Sequence, residues 1–500
     1  FMQFTTTSDA PVSVVTDCLI LGLGESREFG PAMTAVDQAS DGLLSKLLES
    51  GDLPTKAGKT LLLHAIPGVA AERVLIAGMG KAEKLDRAAF YNAVRAAGKT
   101  LRQSRATSAH CLLGEVTVKD CDAATQTRLA ALGLAHGDYI YTATKKPASD
   151  AAPPTETVSF PAEANNDAQL RVAESLYAGI QHCRDLCDLP PNICNPGYLA
   201  ESAREMAARH EGLSVEILDE DQMAKLGMNS LLAVGQGSTN PSYLIHLSWR
   251  GGDAAKQPVA MVGKGITFDT GGISLKPRDL MEQMKFDMGG AASVLGAMEA
   301  IAALKLPMNV DGIVAAVENM PDGNAYRPGD VITTMSGKTV EVHNTDAEGR
   351  MILADALTWT GKFVKPDTTV DLATLTGACV VALGHHASGI MTNDDALADE
   401  LISAGARAAD RGWRLPLWDD YQEQIDTPFA DMKNIGGMPA GSITAGCFLS
   451  RFTEDQRWAH IDIAGSAWQW GKPESATGRP VGLLVEWLVD RAGGWDTLAG

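Results

Sequence analysis

The sequence has no run of about 18 apolar residues, the length that a helix needs to cross a bilayer. Its first residues lack the basic segment leading into an apolar one that marks a secretory signal. Basic residues are outnumbered, with 42 Lys and Arg against 62 Asp and Glu and a formal net charge of −20. Such a charge repels phosphate backbones, so nucleic-acid binding would need a local basic patch. We therefore expect a cytoplasmic protein with no membrane partner and with nucleic acid disfavoured as a partner.

The cysteines and histidines do not stand at the spacings of common metal-binding motifs. The 8 cysteines include no Cys-x-x-Cys pair and do not form a disulfide framework. Cys183, Cys187 and Cys194 form a cluster, for which buried structural thiols are favoured over a metal site with His182. The absence of His-x-x-x-His and His-Glu-x-x-His patterns disfavours a single His-bound zinc ion.

Alternating strand and helix patterns predict the fold class. Between residues 14 and 145, short apolar runs alternate with helical stretches rich in Ala and Leu, which indicates an α/β domain with a largely parallel sheet. The segment Pro147–Asn166 has the composition of a linker, and Asp167–Leu186 has helical periodicity. We predict two α/β domains, each a mostly parallel or mixed sheet flanked by helices. The predicted boundaries are 1–164 for the N-terminal domain, 165–190 for a connecting helix and 191–500 for a C-terminal catalytic domain.

Four apolar runs in the second half predict strands, and two longer runs predict helices between them. The strand candidates are Pro258–Gly263, Gly312–Val317, Thr369–Thr374 and Ala459–Ile463, and the helix candidates are Gly290–Leu304 and Met351–Trp359. Ligands of such sheets bind beyond the carboxyl ends of the strands. Charged motifs begin at those ends, so we expect the functional site there.

The first charged motif follows the strand candidate Pro258–Gly263. Lys264 and Asp269 emerge into a glycine-rich loop, where they point into one crevice or form a surface ion pair. Lys276 comes next, and Asp287 stands directly before a long apolar helix. Helix capping is the alternative use of Asp287.

The second charged motif is Asn344-Thr-Asp-Ala-Glu-Gly-Arg350, which an apolar helix follows. In an extended stretch, Asp346, Glu348 and Arg350 would project to one side. Capping of the next helix is the alternative, but it does not explain a charged set that includes an arginine. With Asp269 and Asp287, the two motifs supply four carboxylates, which repel one another in one crevice unless cations neutralise them. Two divalent ions about 3.5–4 Å apart, as in two-metal hydrolases, would do so.

These motifs resemble those of the leucine (cytosol) aminopeptidase family, and the second charged motif matches the family signature. The resemblance covers essentially the whole second half of the chain. It is carried by Val262-Gly-Lys-Gly-Ile-Thr-Phe-Asp-Thr-Gly-Gly272, Met284-Lys-Phe-Asp-Met-Gly-Gly-Ala-Ala292, Asn344–Arg350, Ala373-Thr-Leu-Thr-Gly-Ala378, Met432-Lys-Asn-Ile-Gly-Gly437 and Thr477-Gly-Arg-Pro480. Thr270 and Met351 stand where the family usually has Ser and Leu, and both changes are mild.

The resemblance implies a two-metal leucyl aminopeptidase that removes N-terminal residues from peptides, with Leu and other apolar residues preferred. The implied metal ligands are Lys264, Asp269, Asp287, Asp346 and Glu348. The tighter site would use Lys264, Asp269, Asp287 and Glu348, and the more exchangeable one Asp269, Asp346 and Glu348. Lys276 and Arg350 match the catalytic positions, and Met284, Thr374, Leu375 and Gly377 match positions near the substrate. The family's hexamers further imply a homo-hexamer.

The implied chemistry is peptide hydrolysis by a water that bridges two divalent metals, Mn or Zn. Lys264 could bind a metal only as a neutral amine, so its pKa must fall below the reference of about 10.4. Lys276 would donate to the oxyanion. Arg350 is too basic to accept a proton, so it would hold an anion such as bicarbonate that relays one.

Two other function classes compete with this interpretation. A two-metal phosphoesterase is the rival enzyme, but Gly78-Met-Gly80-Lys81 lacks the spacing and the Ser or Thr of a phosphate loop. A nucleic-acid-binding or scaffolding protein with a vestigial site would require missing ligands, and none is missing. A secondary DNA-binding role stays open.

Overall fold

The computed structural model describes residues 2–163, 165–471 and 474–498. The chain divides into two compact units, one of Phe1–Tyr177 with Asp496–Gly500 and one of Ala178–Trp495. The division falls inside the helix Asn166–Asp188, which confirms the helical periodicity predicted there. The domain boundaries after residues 164 and 190 stay predictions.

The first unit is an α/β sheet structure, as the alternation of patterns predicts. Its elements are β1 (Gln3–Thr7), β2 (Cys18–Gly24), α1 (Pro31–Ala39), α2 (Leu43–Ser50), β3 (Thr60–His64), β4 (Arg73–Gly80), α3 (Arg87–Gln103), β5 (Ser108–Cys111), α4 (Ala123–Asp138) and β6 (Thr157–Pro161), and α5 (Asn166–Asp188) follows. In the described residues the six strands form one sheet in the order β1-β6-β5-β2-β4-β3. All neighbours are parallel except β3 and β4.

The prediction that Pro147–Asn166 is a linker is wrong for its second half, because β6 lies within it and pairs with β1 and β5. The alternating burial of Thr157-Val-Ser-Phe-Pro161 explains the strand, since Val158 and Phe160 are buried between half-buried neighbours. The linker-like composition of the segment gives no indication of this short alternation of buried and half-buried residues.

The second unit contains the elements that carry the charged motifs. They are α6 (Pro196–Arg209), β7 (Leu213–Leu218), α7 (Glu220–Lys225), α8 (Asn229–Gly235), β8 (Tyr243–Arg250), β9 (Val259–Asp269), α9 (Gly289–Ala303), β10 (Asn309–Asn319), β11 (Val331–Thr333), β12 (Thr339–Glu341), α10 (Gly349–Trp359), β13 (Thr368–Ala373), α11 (Gly377–Leu383), β14 (Ser388–Met391), α12 (Asp395–Arg407), β15 (Gly412–Arg414), β16 (Met432–Lys433), α13 (Gly441–Ser450), β17 (Trp458–Asp462), β18 (Trp468–Gln469), β19 (Ser475–Ala476) and α14 (Val481–Arg491). All four predicted strands and both predicted helices are confirmed.

The main sheet of this unit has the order β15-β14-β17-β13-β9-β10-β8-β7 among the described residues. Its central strands β17, β13, β9 and β10 are parallel. Their carboxyl ends therefore meet at one edge, where a ligand crevice is expected.

Helices α9 and α10 cover the two faces of β9. Ala260 and Val262 of β9 belong to the same apolar core as α10. Side chains alternate along a strand, so Gly263 faces the other way, and a Cβ there would approach the Gly290 carbonyl of α9 to 2.6 Å. A Cβ at Gly290 would in turn collide with the Leu372 carbonyl of β13. The start of α9 therefore packs directly against β9 and β13. This packing places Asp287, which precedes the helix, near the carboxyl ends of the central strands.

Candidate active site

The predicted metal ligands meet at the carboxyl ends of the central strands. Lys264 and Asp269 lie on β9, and Asp287 precedes α9. Asp346 and Glu348 lie in the segment that ends at the start of α10. Distant parts of the chain thus supply one cluster, as the sequence analysis expects for residues at strand ends.

Two lysines contact all four carboxylates of the cluster. Lys264 Nζ lies 2.8 Å from Asp287 Oδ1 and 2.8 Å from Glu348 Oε1, and it donates to the Thr374 carbonyl at 3.0 Å. Lys276 Nζ lies 2.8 Å from Asp269 Oδ2 and 2.5 Å from Asp346 Oδ1. Each ammonium group therefore neutralises a different pair of carboxylates.

Burial and mutual repulsion raise the pKa of three of the carboxylates. Burial is the main cause at Asp269, and together with repulsion from Glu348 it raises the Asp269 pKa to about 7. Burial likewise raises the pKa values of Asp287 and Asp346. Burial also disfavours ionised Glu348, but Lys264 and Lys276 outweigh it and leave the Glu348 pKa below its ordinary value. The cluster thus holds more negative charge than its buried setting favours.

The carboxylates also set the protonation of Lys264. Burial lowers the pKa of Lys264, but Asp287 and Glu348 outweigh burial and leave that pKa above its ordinary value. Among the carboxylates alone, Lys264 is therefore an ammonium group. The neutral amine that metal ligation requires would form only where dications take over the neutralisation of the carboxylates.

The donor set fits divalent metals. Asp269, Asp346 and Glu348 each place one carboxylate oxygen within 4.8 Å of the others, and in the described residues they form the only such group of three His, Cys, Asp or Glu. Asp287 Oδ2 is buried and has no hydrogen-bond partner among the described residues. A buried carboxylate oxygen without a donor is costly unless a cation binds it, so the set suits oxygen-preferring ions such as Mn or Mg as well as Zn.

Asp287 does not cap the helix that follows it. The residue at the N-cap of α9 is Met288, and no side chain in the described part of the chain caps that end by a hydrogen bond. Asp287 Oδ1 instead accepts hydrogen bonds from Lys264 Nζ and, at 2.8 Å, from the Thr374 hydroxyl. The contacts therefore favour the site interpretation over capping.

The prediction of an extended stretch from Asp346 to Arg350 is wrong. A turn covers Thr345 and Asp346, and α10 begins at Gly349. The reason is local: the Asn344 side-chain oxygen accepts the Asp346 backbone N–H at 2.8 Å, which bends the chain. Asp346 and Glu348 still reach the cluster, but from a turn and a helix start.

Arg350 lies in the first turn of α10, where it is buried. Its Nη1 donates to the Asn434 carbonyl at 3.0 Å, whereas its Nε is buried without a hydrogen-bond partner among the described residues. Burial lowers the Arg350 pKa to about 10. Arg350 therefore stays a cation at neutral pH, and its buried Nε can still donate a hydrogen bond.

The four predicted substrate residues lie in two segments. Met284 belongs to a short 3-10 helix, Met281–Phe286, directly before Asp287. Thr374 and Leu375 follow β13, and Gly377 begins α11. Thr374 contacts the cluster through both its hydroxyl and its carbonyl, which ties the second segment to Asp287 and Lys264.

Sequence reasoning missed two buried asparagines beside the cluster. Asn319 Nδ2 donates to Asp269 Oδ1 at 2.8 Å. Asn434 Nδ2 donates to the Asn344 carbonyl at 2.7 Å, and its Oδ1 accepts the His343 backbone N–H at 2.8 Å. Asn319 follows the strand candidate Gly312–Val317, so its position at a strand end is a signal that could have identified it.

The three clustered cysteines lie outside the proposed ligand set. Cys183, Cys187 and Cys194 are buried free thiols, in keeping with the structural role favoured for them. No helix in the described part of the chain is both long and apolar enough to span a membrane.

Comparisons with known proteins show which family the sequence resembles. Two sequence models of the cytosol aminopeptidase family match the chain, the N-terminal domain at residues 20–148 and the catalytic domain at residues 181–485. A probable cytosol aminopeptidase of Methylobacillus flagellatus is 52% identical over 497 residues, which cover 98% of this chain and 100% of that protein. One of Shewanella denitrificans is 47% identical over 498 residues, covering 98% and 99%.

Two solved structures resemble the whole chain. A tomato leucine aminopeptidase mutant superposes with a TM-score of 0.88 at 32% identity, covering 98% of this chain and 97% of its own. The bottromycin maturation enzyme BotP in complex with Mn superposes with a TM-score of 0.84 at 31% identity, covering 95% and 100%.

Proposed function

The chain belongs to the cytosol aminopeptidase family and is an aminopeptidase. On this premise we propose that its carboxylate cluster would hold two divalent metal ions and that the N-terminal peptide bond of the substrate is hydrolysed there. One observation carries the proposal. Lys264 and Lys276 contact all four buried carboxylates, while Asp287 Oδ2 has no donor among the described residues. Buried carboxylates in this number call for cations beyond two ammonium groups.

The proposed ligands divide between two sites. The tighter site would use Lys264, Asp269, Asp287 and Glu348, and the exchangeable one Asp269, Asp346 and Glu348. Lys264 contacts two proposed ligands of the tighter site, Asp287 and Glu348. Lys276 contacts Asp269 and Asp346, two proposed ligands of the exchangeable site. Mn and Zn both suit the donors, and the Mn complex of the related BotP supports Mn.

When bound, divalent ions would supply Lewis acidity to the peptide carbonyl and would lower the pKa of a bound water to about 7. The chain's own residues supply the remaining polar groups. Burial lowers the pKa of Lys276, but Asp269 and Glu348 outweigh burial and hold it above its ordinary value, so among the carboxylates alone Lys276 is an ammonium group. Lys276 is about one-fifth exposed, so it can reach a substrate. As a fixed cation it would donate to the oxyanion of the tetrahedral intermediate.

Arg350 would hold an anion rather than act as a base. Its guanidinium remains charged at neutral pH, and its buried Nε has no partner among the described residues. A small oxyanion such as bicarbonate can accept that hydrogen bond and would supply the general base that an arginine cannot.

Selectivity for N-terminal residues would come from binding of the substrate's free α-amine at the metal cluster. Thr374 contacts the cluster and Met284 lies in the short helix before Asp287, so Met284 and the segment Thr374–Gly377 would receive the first side chain. The thioether of Met284 would make an apolar pocket wall, which would favour Leu and other apolar residues.

Blocking the substrate's amine tests this arrangement. We expect rapid release of p-nitroaniline from leucine p-nitroanilide and none from its N-acetylated form, because acetylation removes the amine's lone pair and charge. The glutamate p-nitroanilide serves as a control for side-chain preference and should react more slowly than the leucine compound. Equal rates on blocked and free substrates would refute amine anchoring.

We also propose, from the family resemblance, that the chain assembles as a homo-hexamer and works in the cytoplasm on peptide substrates. The names of its relatives as cytosol aminopeptidases support the location.

A further inference from the structure

Asn319 ends β10 and is fully buried. A bulge in β9 brings it beside a proposed metal ligand. Val317 pairs with Ile266 and Asn319 pairs with Asp269, so two residues of β9 oppose one residue of β10. Bulges of this kind re-aim side chains next to active sites. Here the bulge sets the side chain of Asp269 against that of Asn319.

The Asn319 side chain bridges the two motifs that supply the cluster. Its Nδ2 donates to Asp269 Oδ1 at 2.8 Å and to the Thr345 carbonyl at 3.1 Å. The Thr345 carbonyl can only accept, so the amide must present its NH₂ group to this carbonyl and to the adjacent Asp269 oxygen. The Asn319 backbone carbonyl accepts the backbone N–H and the hydroxyl of Thr270, at 3.1 and 2.9 Å. Hydrogen bonds therefore hold both the side chain and the backbone of Asn319.

Two hydrogen bonds fix the orientation of the Asp269 carboxylate. Its Oδ1 accepts from Asn319 and, at 2.9 Å, from the Gly271 backbone N–H. Its Oδ2 is the oxygen that contacts Lys276 inside the cluster. Rotation of the carboxylate would break both hydrogen bonds to Oδ1, so these bonds keep Oδ2 directed at the cluster.

Thr345 extends the same connection to the second motif. It directly precedes Asp346, and its hydroxyl donates to the Gly271 carbonyl at 2.6 Å. We propose that Asn319 is a positioning residue that fixes Asp269 and the Thr345–Asp346 turn in one geometry before cations bind. This inference rests on the proposed two-metal function and adds to it a residue outside the ligand set.

A purely structural role for Asn319 is the alternative, and Tyr326 offers a matched control. Its hydroxyl donates to the same Thr345 carbonyl at 2.7 Å, and it is equally buried. Among the described residues its hydroxyl hydrogen-bonds to Thr345 alone, so it supports the turn without a hydrogen bond to Asp269. Loss of either donor weakens the hold on Thr345, but only loss of Asn319 frees Asp269.

The experiment compares Mn²⁺ binding by chelator-stripped wild type, Asn319→Leu, Asn319→Ser and Tyr326→Phe. Calorimetry gives the affinities, and the Mn²⁺ EPR spectrum separates single ions from coupled pairs. Residues behind metal ligands are commonly worth about 10–100-fold in affinity. We expect Asn319→Leu to weaken Mn²⁺ binding by about that factor and to reduce the coupled signal, while Tyr326→Phe changes affinity less than about threefold.

The controls separate the possible outcomes. Thermal melting without metal identifies a variant that fails to fold, and Asn319→Ser, which adds no bulk, then provides the measurement. Wild-type affinity in a folded Asn319 variant would overturn the inference, as would equal losses in the Asn319 and Tyr326 variants. A wild-type chain that binds no Mn²⁺ would instead overturn the proposed function itself.

Discussion

Replacing Lys276 by methionine removes one cation from the cluster and keeps a side chain of similar length. Lys276 Nζ lies 2.8 Å from Asp269 Oδ2 and 2.5 Å from Asp346 Oδ1. These carboxylates hold its pKa above the ordinary lysine value. The substitution therefore removes one of the two ammonium groups that contact the carboxylates of the cluster.

The magnitude follows from the role proposed for this charge. Removing one oxyanion donor costs about 10²–10³ in kcat, or about 2.7–4 kcal/mol. An interaction made only in the transition state lowers kcat and kcat/KM together. Metal affinity should move the other way, because Asp269 and Asp346 lose a competing cation. We therefore expect Lys276→Met to lose about 10²–10³ in kcat with little change in KM, and to bind Mn²⁺ at least as tightly as wild type.

The assay is steady-state hydrolysis of leucine p-nitroanilide at saturating Mn²⁺, with calorimetry of Mn²⁺ binding to the stripped protein. Lys338→Met is a matched control, since Lys338 is also partly buried but pairs with Glu454, 2.9 Å away, outside the cluster. The control should keep wild-type kcat. A Lys276→Met enzyme with unchanged kcat, or with a change confined to KM, would remove Lys276 from the oxyanion role.

Two further predictions concern stability and assembly. Burial raises the pKa of Asp355 to about 7, whereas the reference for an unfolded chain is about 3.9. Between these two pH values the native state binds more protons than the unfolded state. Stability therefore falls as the pH rises from about 4 to about 7. The midpoint of urea unfolding should therefore fall more from about pH 5 to about pH 8 in wild type than in Asp355→Asn, and equal falls would show that Asp355 does not titrate there. Sedimentation should give a particle near six times the chain mass of 52.8 kDa, whereas sedimentation at the monomer mass would contradict the hexamer.

The sequence carried enough information to predict the sheet and the motifs. The first residues of β9, Val259–Gly263, form a continuous apolar run, because a central parallel strand is buried on both faces. A run of this kind is visible without a structure. The charged residues that follow this run, Lys264 and Asp269, could then be assigned to the strand-end crevice.

Features that depend on contacts between distant segments could not be predicted. The turn at Asp346 results from a side-chain hydrogen bond of Asn344, and polar residues at that spacing are equally compatible with an extended segment. Asn319 meets Asp269 only because of a bulge between β9 and β10, which leaves no pattern in either strand. The strand Thr157–Pro161 was hidden by a composition typical of linkers.

The most direct test of the two-metal account is the activity of chelator-stripped protein before and after Mn²⁺ or Zn²⁺ is added back. Wild type, Asp346→Ala and Asp399→Ala would be compared on leucine p-nitroanilide, the last because Asp399 is exposed on α12, away from the cluster. The account predicts that stripping abolishes turnover and that metal restores it in wild type and Asp399→Ala but not in Asp346→Ala. Full activity in the stripped protein, or restoration in Asp346→Ala equal to wild type, would contradict it.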